Sequence, residues 1–216
     1  MTRAECLLYP TINTIQHDKQ SQHTLGWSRR YVHLRSAQIW SLNFTDIPEI
    51  LAMIKELAGF EKADDRVEAT EESLASTLSF APDFKGGYAK TFLITVPALP
   101  STAGQSAASS EERVAGMALY FHNYSTWLAT PGIYLEDLFI RPRFRRGGFA
   151  TLLLKRLAEE TAKVSGGRGR LEWSCLKWNV NALDFYEKIG AEQMEEWVGL
   201  RVEGQGLRKL AYVDVL

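Results

Sequence analysis

Arginines and glycines crowd one short stretch, Arg141-Pro142-Arg143-Phe144-Arg145-Arg146-Gly147-Gly148. An apolar run, Tyr134 to Ile140, leads into it, and Phe149-Ala150-Thr151 leads out toward Leu152, Leu153, Leu157 and Ala158. A strand that enters a basic, glycine-bearing turn and leaves as a helix is a site for an anion. The first N–H groups of a helix have no internal partner, the helix dipole favours negative charge there, and glycine lets a ligand approach the backbone closely. A pyrophosphate suits this arrangement. It is not a Walker loop, because no Gly-Lys-Ser/Thr is present, and it lacks the G-x-G-x-x-G dinucleotide spacing. Spacing alone favours the anion site and leaves a solvated basic loop capping a helix as the alternative. Glu136 and Asp137 are adjacent within the preceding run. On a regular strand they point to opposite faces, and only a bulge would change that. Glu61 and the acids after it, Asp64, Asp65, Glu68, Glu71 and Glu72, would attract an ammonium group or simply form a hydrated face. Tyr120, Tyr124 and Trp127 suit either the flanks of an aliphatic chain or ordinary packing.

Other reactive side chains point to less. Cys175 has no base beside it and reads as a small packed hydrophobe. His17, His23, His33 and His122 have no compact ligand spacing, so no metal is expected.

These residues must be held by a scaffold. Residues 1–30 are weakly patterned and read as an extension, and 31–216 as a single domain. Tyr31 to Arg35 alternates as a first strand would. Asp46 is placed to cap a helix with Pro48 and Glu49 in its first turn, and Ile47, Ile50, Leu51, Ile54, Leu57 and Ala58 give its apolar face. Gly59 should end it. Thr70 should cap a second helix running to Leu78. Strands are expected over Lys90–Val96, Val114–Phe121, Tyr134–Ile140 and Arg170–Cys175, with further short ones near Ala191–Met194 and Trp197–Val202. A Ser/Ala/Gly/Pro-rich loop should span 97–112. Thr151–Val164 is the strongest helix, ended by Gly166-Gly167. Asn179 or Asn181 should cap another helix carrying Ala182, Leu183, Phe185, Tyr186 and Ile189. A last helical turn or two is expected over Leu207–Leu210. This order describes a mixed α/β sandwich around one core.

Composition narrows the function classes. The chain has 216 residues, 45% of them hydrophobic and 24% charged, which suits a folded soluble domain. A formal net charge of -1 gives no overall pull on nucleic acid, leaving only the local arginine cluster for that role. No apolar run is long enough to span a membrane, and the first ten residues do not read as a secretory signal. Two cysteines make no disulfide framework, so a reducing, cytoplasmic setting is expected.

The motifs then resemble one superfamily. Arg145, Gly148 and Ala150 match the Gln/Arg-x-x-Gly-x-Gly/Ala pattern of motif A of the GCN5-related N-acetyltransferases. Trp178 to Ala191 resembles that family's Asn-x-x-Ala-x-x-Phe-Tyr-x-x-x-Gly-Ala signature. Tyr134-Leu135-Glu136-Asp137-Leu138-Phe139-Ile140, Ile54 to Glu61, and Gly116 to Phe121 followed by Tyr124 to Trp127 resemble blocks of the diamine (spermidine/spermine) branch. The ending from Glu196 to Ala211 is more similar to microbial relatives, which leaves thialysine, another small amine, an amino acid or a protein lysine open as acceptor.

The resemblance implies a mixed, mostly antiparallel central sheet with helices on both faces. It implies acetyl-CoA as cosubstrate and direct acetyl transfer to a primary amine of a polyamine-like or lysine-like acceptor. Arg145, Arg146, Gly147, Gly148, Phe149, Ala150 and Thr151 would hold the pyrophosphate. The Leu138-Phe139-Ile140 strand, Asn179, Ala182 and Tyr186 would meet the coenzyme arm. Glu136 would take the amine's proton through water, and Asp137, Glu61, Tyr120 and Trp127 would hold the acceptor. Tyr186 would protonate the departing thiolate, since a phenol of pKa about 10 can do so for a thiol of pKa about 8.5. A homodimer is the expected assembly. A sensor that binds acetyl-CoA without transferring acetyl is the rival from another class, and needs neither Tyr186 nor Glu136.

Overall fold

In the strand Lys90–Val96 every residue from Thr91 to Val96 is buried. A strand buried on both faces must have helices on both sides of its sheet. The computed structural model, which describes residues 37–80, 87–97 and 113–212, has that arrangement. Its elements are β1 (Gln38–Ser41), α1 (Ile47–Phe60), α2 (Glu71–Thr77), β2 (Lys90–Val96), β3 (Arg113–Ser125), β4 (Thr130–Ile140), α3 (Phe149–Ser165), β5 (Leu171–Trp173), α4 (Val180–Lys188) and α5 (Gly204–Ala211). The strands lie in the order β1-β2-β3-β4-β5, and β1 through β4 pair antiparallel with their neighbours. The expected strand at Tyr31–Arg35, the extension 1–30 and the loop beyond Pro97 lie outside the described residues.

One face of the sheet carries Leu93, Met117, Leu119 and Phe139, packed with Ile47, Ile50, Leu51 and Met53 of α1 and with Leu74 and Leu78. The other face meets α3, where Leu153 and Leu157 are fully buried and the Arg156 guanidinium sits 5.0 Å from the Phe92 ring. The apolar positions of α1 and α3 recur at three and four residues, the spacing that places them on one side of a helix.

Local rules account for most boundaries. Thr70 and Ser73 exchange backbone and side-chain bonds, Ser73 N to Thr70 Oγ1 at 3.2 Å and Thr70 N to Ser73 Oγ at 2.9 Å, and α2 starts where expected. Asp46 behaves differently. Its carboxylate accepts the Asn43 N–H at 2.8 Å, closing the 3-10 turn Phe44–Asp46 rather than capping α1. Helix α1 runs one residue past Gly59 and is closed by Lys62 in the left-handed region (φ 59°), with Ala63 N donating to Ala58 O at 2.9 Å.

The pairing of β3 with β4 contains the feature that matters most for the site. Leu119 pairs with Asp137 and Tyr120 with Leu135, so Glu136 is an extra residue with no partner across the ladder.

The chain falls into two compact units, one ending at Leu171 and one beginning at Glu172. In the second, Asn179 caps α4 by accepting the Ala182 N–H at 3.3 Å. The strand expected over Arg170–Cys175 is only Leu171–Trp173. No strand forms near Ala191–Met194 or Trp197–Val202. Every described residue from Glu192 to Tyr212 is exposed, and the backbone there closes on itself in a turn, Trp197 N donating to Met194 O at 3.1 Å, rather than pairing with a strand. The terminal helix is longer than expected, spanning Gly204–Ala211.

Candidate active site

The anion turn is built from backbone. Arg141 N continues the pairing of β4 by donating to Ala115 O at 2.9 Å; Phe144 N then closes onto Arg141 O at 2.8 Å. Arg146 adopts φ 61° and Gly148 φ 81°, and Gly148 is the N-cap of α3. The first helical bond runs from Leu152 N to Gly148 O at 3.1 Å, so the N–H groups of Phe149, Ala150 and Thr151 precede it without an i−4 acceptor. Gly147 is needed for space: a Cβ there would lie 2.9 Å from the Phe149 ring and 3.1 Å from Phe144 O. Phe149 is buried and meets Phe144 edge-on at 6.3 Å, which anchors the start of the helix.

The arginines of this stretch do not act as one patch. The Arg145 guanidinium turns back, donating from Nε to Ile140 O at 2.9 Å and lying 5.0 Å from the Phe60 ring and 5.8 Å from that of Phe139. Arg143 sits over Phe144 at 4.7 Å, and Arg146 is exposed. Arg141 is ion-paired with Glu49 and Glu56 of α1. Burial pulls its pKa down, but the bonds to the two glutamates outweigh this and hold it above the ordinary value.

The acids converge at the bulge. Glu136 is exposed, whereas Asp137 is partly buried and its carboxyl is pushed up to about 6. Burial is the main cause, followed by the negative charges of Glu136 and Glu61. Glu61 is the residue that ends α1. A regular strand would have pointed Glu136 and Asp137 to opposite faces; at the bulge the charges of Glu136 and Glu61 both reach Asp137.

Two residues expected at the acceptor lie elsewhere. Tyr120 is 1% exposed and packs on Phe92 with ring centroids 5.0 Å apart. Burial, then the charge of Glu160, pushes its phenol pKa up, and the cavity it does line is shared with Ser41, Phe92, Arg156 and Glu160 rather than with the acids at the bulge. Trp127 is 92% exposed in the turn between β3 and β4. At about 3.3 Å per residue, the length of β4 from Thr130 to Asp137 puts it roughly 20 Å from the acids of its own chain. Phe139 is also core, so only its backbone is available to a coenzyme; Leu138 and Ile140 pair beside it with Ala118 and Gly116.

In the second unit, Tyr186 lies 5.0 Å from the Trp173 ring and 5.4 Å from Phe185. Burial first, then Cys175, pushes its phenol up to about 12, so it stays protonated through neutral pH. Among the described residues, no His/Cys/Asp/Glu group could hold a metal ion, and no helix is long and apolar enough to cross a membrane.

Sequence reasoning missed Arg141 as a bridge. The available signal was Glu49 and Glu56, seven residues apart and therefore on one face of α1.

Known proteins are similar to this chain in sequence and in fold. The family model described as Acetyltransferase (GNAT) family matches residues 74–191. This chain is 33% identical to L-ornithine N5-acetyltransferase NATA1 of Arabidopsis thaliana over 79% of its length and 86% of the relative's. It is likewise 33% identical to the thialysine N-epsilon-acetyltransferase of Mus musculus, over 82% and 99%. The chain belongs to the GNAT acetyltransferase family. In fold it is similar to the integron cassette protein VCH_CASS6 of V. cholerae, with a TM-score of 0.62 and 24% identity over 82% of this chain and 99% of that one.

Proposed function

We propose that this protein transfers the acetyl group of acetyl-CoA to a primary amine of a small polyamine-like or lysine-like acceptor. The observation that carries the acceptor class is the meeting of Glu61, Glu136 and Asp137 at a bulge in the strand that runs into the anion turn. Such a locus favours a ligand with a second cationic group beyond the one that reacts. The relatives named for L-ornithine and thialysine support the same class.

The amine nitrogen attacks the thioester carbonyl carbon, a C–N bond forms, the C–S bond breaks, and coenzyme thiolate departs. The amine must lose a proton first. Glu136 is the exposed carboxylate and takes it through water, while Asp137 and Glu61 hold the far ammonium. The N–H groups of residues 146–151 bind the pyrophosphate, with the Leu138–Ile140 backbone, Asn179 and Ala182 along the arm. Tyr186, held protonated by burial, returns a proton to the thiolate. The family match runs through the boundary between the two units, which supports one acetyltransferase domain over 31–216. A cytoplasmic homodimer is part of the same reading.

The test is an acetylation panel of spermidine, putrescine, thialysine, L-ornithine, lysine and a lysine peptide, followed by thiol release and product mass. One small diamine or diamino acid should dominate, and Tyr186→Phe should lose roughly 100-fold in kcat with acetyl-CoA still bound. Tight coenzyme binding with no product from any amine would make the chain a sensor instead.

A further inference from the structure

Two arginines, one on each side of residues 142–144, hold α1: Arg141 through Glu49 in its first turn and Glu56 in its second half, and Arg145 at its last residue. Arg141, the residue after β4, uses its whole guanidinium. Nη1 donates to Glu49 and, at 3.3 Å, to Val114 O. Nη2 meets Glu56 Oε1 at 2.7 Å, and Nε meets Glu56 Oε1 and Oε2 at 2.9 and 3.2 Å. The backbone of Arg141 is itself pinned to β3 through Ala115 O. Four residues on, Arg145 is tied to Ile140 O and stacks on Phe60, the last residue of α1. The next residue along is Glu61. A path of direct contacts therefore runs from the turn to the end of α1, where Glu61 follows, the acid whose charge reaches Asp137.

We propose that Arg141 is a positioning residue for acceptor binding, fixing α1 and hence Glu61 against the strand that carries Glu136 and Asp137. The inference rests on Glu61 holding the acceptor, as proposed above. The charges explain why one arginine matters. Two carboxylates of α1 share it, so its loss leaves them without their counter-ion and removes the polar tie between the helix and the end of β4, with the apolar packing and the Arg145–Phe60 contact remaining. The same geometry explains why the fold should survive. The Arg141 side chain is 14% exposed, but those of Glu49 and Glu56 are 36% and 38% exposed, so both glutamates stay hydrated without it. Lysine would be a poor substitute, because a single ammonium cannot span two carboxylates with a planar fork.

The experiment uses the full chain, acetyl-CoA, and whichever of L-ornithine, thialysine or spermidine is turned over fastest. Amine KM, kcat and acetyl-CoA Kd are measured for Arg141→Gln, Glu61→Gln and the double variant, with Glu56→Gln as the milder break should Arg141→Gln fail to fold. Arg141→Gln should raise amine KM about tenfold while acetyl-CoA Kd moves less than about twofold, and the double variant should be no worse than Glu61→Gln alone, since one effect acts through the other. A purely structural role would weaken both ligands together. Parallel loss of coenzyme affinity, unchanged amine KM, or additive effects in the double variant would each overturn the proposal. If Glu61→Gln itself leaves amine KM unchanged, the role given to Glu61 fails and this inference falls with it; if only Arg141→Gln is silent, the role of Glu61 stands and this inference alone is lost.

Discussion

The anion turn and the acid bulge lie only a few residues apart on one stretch of chain, yet they are made of opposite materials. The turn is backbone: the N–H groups proposed to bind the coenzyme precede the first helical bond of α3, with Gly148 at φ 81° and Arg146 at φ 61°. The bulge is side chain: its character comes from Asp137, whose carboxyl is raised by burial and by the charges of Glu136 and Glu61. A backbone site is indifferent to pH and sensitive to shape. A carboxylate site tolerates changes in shape and is sensitive to pH and salt. One reaction needs both, because the coenzyme's phosphates are always charged while the amine must exchange a proton.

The largest effect should come from shape. Gly148→Val forces a β-branched residue into the left-handed region at the helix start, a cost of roughly 1–2 kcal/mol or more. Calorimetry should show acetyl-CoA affinity falling at least tenfold, with no new pH dependence. The bulge should answer to pH instead. With Asp137 titrating at about 6, amine KM should fall as pH rises through that value, and the trend should vanish in Asp137→Asn. Stability moves the other way. The native pKa lies above the ordinary 3.8, so the protonated form favours folding. That contribution is full below about pH 4 and is lost as pH rises through 6. Denaturant titration should find Asp137→Asn more stable than wild type at pH 8 by about 2 kcal/mol, and no more stable at pH 3.5. A gain that persisted at low pH would show that charge is not the cause. The smallest effect sharpens the contrast. Arg146→Gly removes side-chain strain from the turn while keeping its N–H, and should stabilise the fold by about 0.5–1 kcal/mol with little change in acetyl-CoA Kd.

The same division explains what the sequence made readable. The turn was legible because a backbone anion site needs glycine at fixed offsets between a strand and a helix, all within one window around Arg145, Gly148 and Ala150. Strand β2 was legible because Gly86-Gly87 before it and Pro97 after it bound a short run of β-branched and aromatic residues. The bulge was not, because it is a property of two strands: nothing near Glu136 records that Leu119 pairs with Asp137 while Tyr120 pairs with Leu135. Arg141 hid in a basic cluster because its partners, Glu49 and Glu56, are 92 and 85 residues away in sequence. Tyr120 read as well for a ligand as for the core, since a tyrosine on a strand looks the same whichever neighbour covers it. The strands expected after Ala191 failed for a related reason: strand-forming composition without a pairing edge does not make a strand.

Glu136 is the one residue of β4 that the ladder does not need. The pairs on either side of it already alternate correctly: Leu135 shares a face with Tyr120, and Asp137 shares the opposite face with Leu119. Excising Glu136 would join the two registers into one, leave Phe139 opposite Met117, and move no core residue to the wrong side. The sheet is thus complete without its exposed carboxylate. That makes the bulge a place where a lineage can gain or lose a reactive group by a single codon without redrawing the hydrophobic pattern around it.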